Sequence, residues 1–370
     1  MKLSRIAPIA AIAMAGTLAL SACGGGSATG ESGGDKSGGS DKQLSGSLTG
    51  IGSSAQKSAV QAWTADFTGQ QSGAKINYSP DGSGAGREQF LAGKAQFAGS
   101  DAYMKDEEIE KSKSVCGDDG AFEFPVYISP IAIAYNLKGV DKLQLSPETL
   151  AKVFAGKITS WNDEAIKKDN PDANLPSTKI TAVHRSDESG TTKNFTDYLN
   201  KAAKSAWPDE AAEEFPKKAG GEAAQGTDGI VQTVTKTDGA IGYADASATG
   251  DLNKASIKVG ENYEAPTAEA AAKVVDESPT VSGRHEHDLA IDLKRDITEA
   301  GTYPIVLVSY HIVCSSYKDQ STADLVKGWE TYVVSQEGQD SAKENAGSAP
   351  ISDKLREKIT PIIDAVKAQG

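Results

Sequence analysis

The chemistry of this chain is concentrated in one polar stretch, His184-Arg185-Ser186-Asp187-Glu188-Ser189-Gly190-Thr191. It lies between the apolar run Lys179-Ile-Thr-Ala-Val183 and the segment Thr192-Lys-Asn-Phe-Thr-Asp-Tyr-Leu199. That order predicts a strand, a turn and a helix. A Ser-Gly-Thr turn leaves the first N–H groups of the helix without intrahelical acceptors, and those donors, together with the helix dipole, favour an anion. Arg185 adds a permanent charge with forked donors that suit oxyanions, and Asp187 is near enough in sequence to hold the guanidinium. The same turn also serves as an ordinary helix N-cap, so on these residues alone both readings stand. The ligand such a turn would take is a small oxyanion such as phosphate.

Three other turns share this make-up. Gly50-Ile-Gly-Ser-Ser54 ends a first apolar segment, Asp81-Gly-Ser-Gly-Ala-Gly86 follows Lys75-Ile-Asn-Tyr78, and Ser100-Asp101 closes Gln96-Phe-Ala-Gly. Each stands at the carboxyl end of an expected strand, which is where open α/β sheets bind ligands. Four such turns point to one shared cleft. Asp101 is the residue whose type most needs explaining, because a carboxylate repels an anion unless the anion carries a proton to donate. Phosphate near neutral pH carries one and sulfate does not, so Asp101 would discriminate against sulfate.

The elements that must position these turns alternate. Helix is expected near 55–67, and strands at 48–51 and 75–78. The dense block Phe122-Glu-Phe-Pro-Val-Tyr-Ile-Ser-Pro-Ile-Ala-Ile-Ala-Tyr-Asn136 reads as a long strand passage able to cross between domains. A helix at 147–156, the turn unit at 179–203, a helix and strand at 228–245 and a surface helix at 267–275 follow. A strand at 303–314 and closing helices at 322–335 and 352–368 complete the chain. Alternation of this kind implies an α/β fold with a mainly parallel sheet. No internal repeat is visible, and the length allows two domains.

At the N-terminus, Met1-Lys-Leu-Ser-Arg5 is basic and residues 6–20 are apolar, too short a run for an ordinary membrane span. Leu20-Ser-Ala-Cys23 resembles a bacterial lipobox, which implies a signal peptide over 1–22 and lipidation of Cys23. The Gly/Ser-rich stretch that completes 23–43 reads as a flexible tether of roughly 25 Å. Net charge is −13; loss of Lys2 and Arg5 with the leader carries it two units further, to −15. Such acidity argues against nucleic acid and against an electrostatic grip on anionic lipid. An acidic protein that binds an anion must use local, buried donors. With Cys23 committed to lipid, Cys116 and Cys314 remain, most simply as one disulfide in an exported protein. Cys116 is expected in a loop over 112–120.

The ordered motifs Leu48-Thr-Gly-Ile-Gly-Ser-Ser54, Gly82-Ser83-Gly84, Phe97-Ala-Gly-Ser-Asp101, Gly156-Lys-Ile-Thr-Ser-Trp-Asn-Asp-Glu-Ala-Ile166, Arg185-Ser-Asp-Glu-Ser-Gly-Thr191 and Gly239-Ala-Ile-Gly-Tyr243 resemble those of the phosphate-binding proteins of bacterial ABC-type phosphate uptake systems. The resemblance spans essentially 44–370 and is to the lipoprotein form. It implies a two-lobed, type II periplasmic-binding-protein fold, each lobe a mainly parallel sheet with helices on both faces, joined by two hinge crossings. Lobe one would be 44–135 plus 303–370, and lobe two 136–302, which places Cys116 and Cys314 in the same lobe. By the same resemblance, phosphate contacts fall to Ser54, Ala55, Ser83, Asp101, Arg185, Ser189, Gly190 and Thr191, with Asp187 orienting Arg185. Ala55 stands where relatives often carry an aromatic residue. The implied function is capture of inorganic phosphate outside the cytoplasm by a monomer on a lipid anchor at the outer face of the cell membrane. Delivery is to the permease and ATPase of an ABC transporter, with no cofactor and no metal.

Enzymatic readings have less support. No Gly-Lys-Ser/Thr phosphate loop occurs. His285-Glu-His287 is the only metal-like spacing and reads as a surface cluster. A nucleophilic set of His184, Asp187 and Ser189 would crowd one turn, whereas a triad needs a base aimed at its serine. A secreted phosphoester hydrolase is the alternative from another class; a same-fold binder of sulfate or molybdate is the nearer one.

Overall fold

A computed structural model describes residues 43–369; the signal peptide, Cys23 and the Gly/Ser stretch through Lys42 lie outside the described residues. The chain opens with β1 (Ser45–Gly52), α1 (Lys57–Gln70), β2 (Gly73–Ser79), α2 (Ser83–Leu91), β3 (Phe97–Ser100) and α3 (Asp106–Cys116), and then enters the long β4 (Ala121–Asn136). It continues through β5 (Gln144–Leu145), α4 (Pro147–Phe154), α5 (Glu164–Asp169), β6 (Thr181–Arg185), α6 (Gly190–Ala202), β7 (Glu222–Ala224), α7 (Gly226–Lys236) and β8 (Ala240–Asp245). β9 (Asn253–Lys254), β10 (Ser256–Val259), β11 (Asn262–Glu264) and α8 (Ala268–Asp276) lead into an irregular passage. The chain closes with β12 (Val306–Cys314), β13 (Ser316–Tyr317), α9 (Gln320–Val334), α10 (Gln336–Ala346), α11 (Asp353–Asp364) and β14 (Lys367–Ala368).

Among the described residues, nine strands form one sheet in the order β2-β1-β3-β12-β4-β8-β6-β7, with β9 also on β4. β1 is parallel to β2 and β3, and β6 is parallel to β7 and β8. Between these parallel groups, β12 and β4 run antiparallel to their neighbours. The sheet is therefore mixed and continuous, where two mainly parallel sheets were expected. Its continuity comes from β4, whose 16 residues are buried except at the two ends and read as the unbroken apolar run of a strand covered on both faces. Residues 121–130 pair with β12 and residues 131–136 with β8. Proline donates no ladder hydrogen bond, and both interior prolines mark irregularities: Pro125 lies at a register shift against β12, and Pro130 where β4 changes partner.

Local signals account for most helix starts. Ser146, Ser189, Thr267, Asp319, Ser335 and Ser352 each accept an N–H from the first turn of the helix that follows. Cys116 departs from its expected loop: it is the last residue of α3, a helix with Asp106, Glu107 and Glu108 in its first turn and Lys113 in its last, charges that complement the helix dipole. The expected surface helix at 267–275 buries Ala270, Ala271, Val274 and Val275 on one face. The stretch 352–368 is helical only to Asp364 and ends as β14 against β13. Cys116 and Cys314 are disulfide-bonded across a separation of 198 residues. Trp63, Trp161, Trp207 and Trp329 are all fully buried.

Candidate functional site

The carboxyl end of β3 meets the start of α6 with no space to spare. A Cβ on Gly190 would lie 2.7 Å from Ser83 Oγ, 2.8 Å from Asp101 Cβ and 2.9 Å from the Ala102 nitrogen. Glycine is therefore what lets the first N–H groups of α6 approach the turn at Asp101. Ser189 caps α6 by accepting the Thr192 N–H at 3.2 Å. Thr191, one residue into the helix, donates its hydroxyl to Asp101 Oδ2 at 2.9 Å.

Asp101 is 4% exposed and every polar atom of the residue is engaged. Its N–H donates to Ser83 Oγ at 3.1 Å, Oδ1 accepts from Ser309 Oγ at 2.7 Å, and its carbonyl accepts from Asn194 Nδ2 at 2.7 Å. Burial pushes its pKa up; the Ser53, Ser309 and Thr191 hydroxyls and the Arg185 charge pull it back only in part, so it stays above the usual carboxylate value.

Arg185 ends β6 and is 3% exposed. Its Nε donates to Asp187 Oδ1 at 2.8 Å and its Nη2 to Asp187 Oδ2, leaving Nη1 uncommitted to that carboxylate. Asp187 also accepts the Gly226 N–H at 3.1 Å. Burial raises the Asp187 pKa, but the hydrogen bond and charge of Arg185, with the Gly226 N–H, outweigh it and hold the group below the usual carboxylate range. The guanidinium is thus aimed by a fixed counter-charge, and its backbone N–H is tied to Tyr243 Oη at 3.1 Å.

Ser54, after β1, shares a 2.9 Å hydroxyl contact with Thr227 and accepts the Thr227 N–H at 3.1 Å. Ala55 is buried and gives its N–H to Ser53 Oγ at 3.0 Å. The turns at Ser54, Ser83, Asp101 and Ser189 therefore lie together, along with residues the sequence reading did not select. Gly226-Thr227 opens α7 as Gly190-Thr191 opens α6, a repeated dipeptide that could have flagged it. Ser309 and His311 are two polar residues at alternate positions of an otherwise apolar strand, a signal that one face of β12 carries something other than core. Chemically, the ensemble offers hydroxyl donors, helix starts, one anchored guanidinium and one carboxylate acceptor, a set suited to an oxyanion that still bears a proton.

Beside Asp101 lies a cavity of about 130 Å³ lined in part by Tyr103, Lys193, Asn194 and Arg295. Lys193 Nζ sits 4.6 Å above the Tyr103 ring. Asp197 and Asp292 line the same cavity and balance these cations: Arg295 Nε pairs with Asp197 at 3.0 Å, so Arg185, not this cavity, supplies the anchored charge of the site.

The hydrolase arrangement does not assemble. His184 has Nδ1 at its neighbour's carbonyl, 2.9 Å from Arg185 O, and stacks on Phe215 with centroids 4.3 Å apart, while Asp187 holds Arg185 and Ser189 caps α6. His285, Glu286 and His287 bring ligand atoms within 4.8 Å of one another near the surface. His285 Nδ1 already accepts the His287 N–H at 3.2 Å.

A mixed α/β sheet with several helix starts gathered on one buried, anion-suited cleft defines a solute-binding protein of the α/β type. The PBP superfamily domain matches residues 33–337. Phosphate-binding protein PstS 2 of Mycobacterium tuberculosis is 37% identical over 99% of this chain and 100% of its own length. Phosphate-binding protein PstS of Xylella fastidiosa is 33% identical over 76% of each chain. The chain belongs to the PstS phosphate-binding protein family of the PBP superfamily. Its fold is similar to that of a high-affinity periplasmic phosphate-binding protein solved with phosphate, at TM-score 0.72 and 21% identity over 85% of this chain and 93% of that one. A phosphate-binding protein from Stenotrophomonas maltophilia gives TM-score 0.66 at 19% identity over 86% and 94%.

Proposed function

We propose that this protein captures inorganic phosphate outside the cytoplasm and passes it to the permease of an ABC transporter, acting as a binder and catalysing no reaction. The observation that carries the reading is Asp101, a buried carboxylate set among donors and within reach of the Arg185 field. Besides the bonds this residue makes to Ser83, Thr191, Asn194 and Ser309, such a carboxylate can accept from an anion that has a proton to give and repels one that has none. Membership of the PstS family supports the same ligand.

In this reading the anion is held by Ser54, the Ala55 N–H, which exchanges its bond to Ser53 Oγ for the ligand, Ser83, Asp101, Arg185, Ser189 and the Gly190 and Thr191 N–H groups, with Asp187 orienting the guanidinium. Thr227 joins them through its contact with Ser54. Residues 44–135 plus 303–370 and residues 136–302 act as two lobes that move about two crossings of the chain. Cys23 carries the lipid that tethers a monomer to the outer face of the membrane. Calorimetry of the purified protein with phosphate, arsenate, sulfate and molybdate tests the ligand. Tight sulfate binding without phosphate binding would overturn it. Release of phosphate from a generic phosphate ester in the presence of metal ions would favour the hydrolase instead.

A further inference from the structure

A hydrogen-bond chain runs from the Asp101 carboxylate into the core. Ser309 Oγ donates to Asp101 Oδ1 at 2.7 Å, Gln56 Nε2 donates to Ser309 Oγ at 2.6 Å, Gln56 Oε1 lies 3.0 Å from His311 Nε2, and His311 Nδ1 lies 2.7 Å from Glu330 Oε2. Ser309, Gln56, His311 and Glu330 are each at most 1% exposed. Four polar side chains in such a place cost free energy unless every link is satisfied, and Glu330 Oε1 has no hydrogen-bond partner at all. The backbone makes room for the chain: a Cβ on Gly99 would lie 2.8 Å from Gln56 Nε2. Ser309 and His311 share a face of β12 because strand residues alternate.

The donors and acceptors give this chain one direction. Ser309 has a single hydroxyl proton, and an ionised Asp101 takes it. The Ser309 oxygen must then receive a proton from Gln56, which turns the Gln56 amide nitrogen toward Ser309 and its carbonyl toward His311. His311 Nε2 must therefore carry a hydrogen. Its Nδ1 faces a carboxyl oxygen, so one further proton lies on that bond, whichever of the two groups holds it. Trp63, with ring centroids 6.0 Å away, and Phe97, at 5.1 Å, wall the imidazole.

We infer that Gln56, His311 and Glu330 are positioning residues that hold Ser309 as a donor to Asp101, keep Asp101 an acceptor, and so set the preference for a proton-bearing oxyanion over a fully ionised one. The inference rests on the cleft being a phosphate site. The charged and titratable groups acting on Asp101 are Arg185 at the end of β6 and Tyr78 on β2, and the one facing His311 is Glu330 on α9.

Gln56→Glu tests the direction. A carboxylate in place of this amide accepts from both Ser309 and His311, drawing the Ser309 proton off Asp101, which then more readily holds a proton of its own and donates to sulfate. Calorimetry at pH 6 should show the phosphate-to-sulfate affinity ratio falling by about tenfold or more, the weight of one charge-assisted hydrogen bond. In an Asp101→Asn background the same substitution should change the ratio by less than about twofold, because the side chain there no longer ionises. Ser309→Ala removes the same donor and should shift the ratio in the same direction if Gln56→Glu does not fold. Glu330→Gln preserves the direction, since an amide N–H can serve a bare Nδ1, and should keep the ratio within about twofold of wild type. Variants that lose phosphate but gain no sulfate, or an equal effect in the Asp101→Asn background, overturn the inference while leaving the cleft assignment intact. Wild-type protein that binds no phosphate overturns the cleft assignment itself.

Discussion

Replacing Arg185 by alanine is the sharpest perturbation of the cleft, because it removes a cation and releases an anion in one step. In the folded protein Arg185 is 3% exposed and forks onto Asp187, whose side chain is 14% exposed. Truncation would delete the hydrogen bonds proposed from the guanidinium to the anion and leave Asp187 held by backbone N–H groups, that of Gly226 among them. Breaking a buried charge contact typically costs about 3–5 kcal/mol, or about two to four orders of magnitude in dissociation constant. Part of that loss is repulsion from Asp187. Arg185→Ala combined with Asp187→Asn should recover about 1–2 kcal/mol of it, a typical coupling for residues in contact. The pH dependence carries a distinct sign. With Arg185 present, the Asp187 pKa lies below the usual carboxylate range, so the pair stabilises the fold above the unfolded carboxylate pKa and that contribution is lost as pH falls through the folded value. Without Arg185 the main opposition to burial is gone, with backbone N–H groups alone left to lower it, so the Asp187 pKa rises, and the variant's residual phosphate affinity should improve as acid neutralises the carboxylate. Titration calorimetry of wild type, single and double variants between pH 5 and pH 8 reads all three quantities. An unchanged dissociation constant in Arg185→Ala, or no recovery in the double variant, would refute the reasoning.

Asp101→Asn should narrow the phosphate-to-sulfate ratio by at least about tenfold, or about 1.4 kcal/mol, mainly by admitting sulfate; competition binding measures it. Because burial raises the Asp101 pKa, wild-type protein should begin to accept sulfate on acidification at a higher pH than an exposed aspartate would allow, and a sulfate affinity that stays flat down through the ordinary carboxylate range would contradict this. Gly190→Ala places a methyl group 2.7 Å from Ser83 Oγ, and backing α6 away should weaken phosphate binding by about tenfold, the loss of one good hydrogen bond to a charged group. Reducing the Cys116–Cys314 bridge, which closes a separation of 198 residues, should cost about 5 kcal/mol on the chain-entropy account. Calorimetric melting should fall by several degrees with phosphate affinity nearly unchanged.

The amino-acid sequence by itself determined what acts within a few residues. Ser189-Gly190-Thr191 caps α6 whatever surrounds it, because capping joins a side chain to an N–H three positions on. The run 122–136 reads as one long strand passage, whereas the close approach at Gly190 and the burial of β4 on both faces appear only in the fold. Cys116 was misplaced into a loop because α3 has few apolar residues and its helix signal lies in charges at the two ends, which stabilise a helix only weakly. Tertiary structure decided the rest. The mixed order of the sheet depends on β12 arriving from residues 306–314 to lie between β3 and β4, and no local period encodes a partner so distant. The surroundings of Asp101 were hidden for the same reason: its donor Ser309 is 208 residues away in sequence, and Gln56 and His311, separated by 255, meet only across the fold. Local propensity selects elements, but the contacts that surround a buried carboxylate and shift its pKa exist only once the strands have chosen their neighbours.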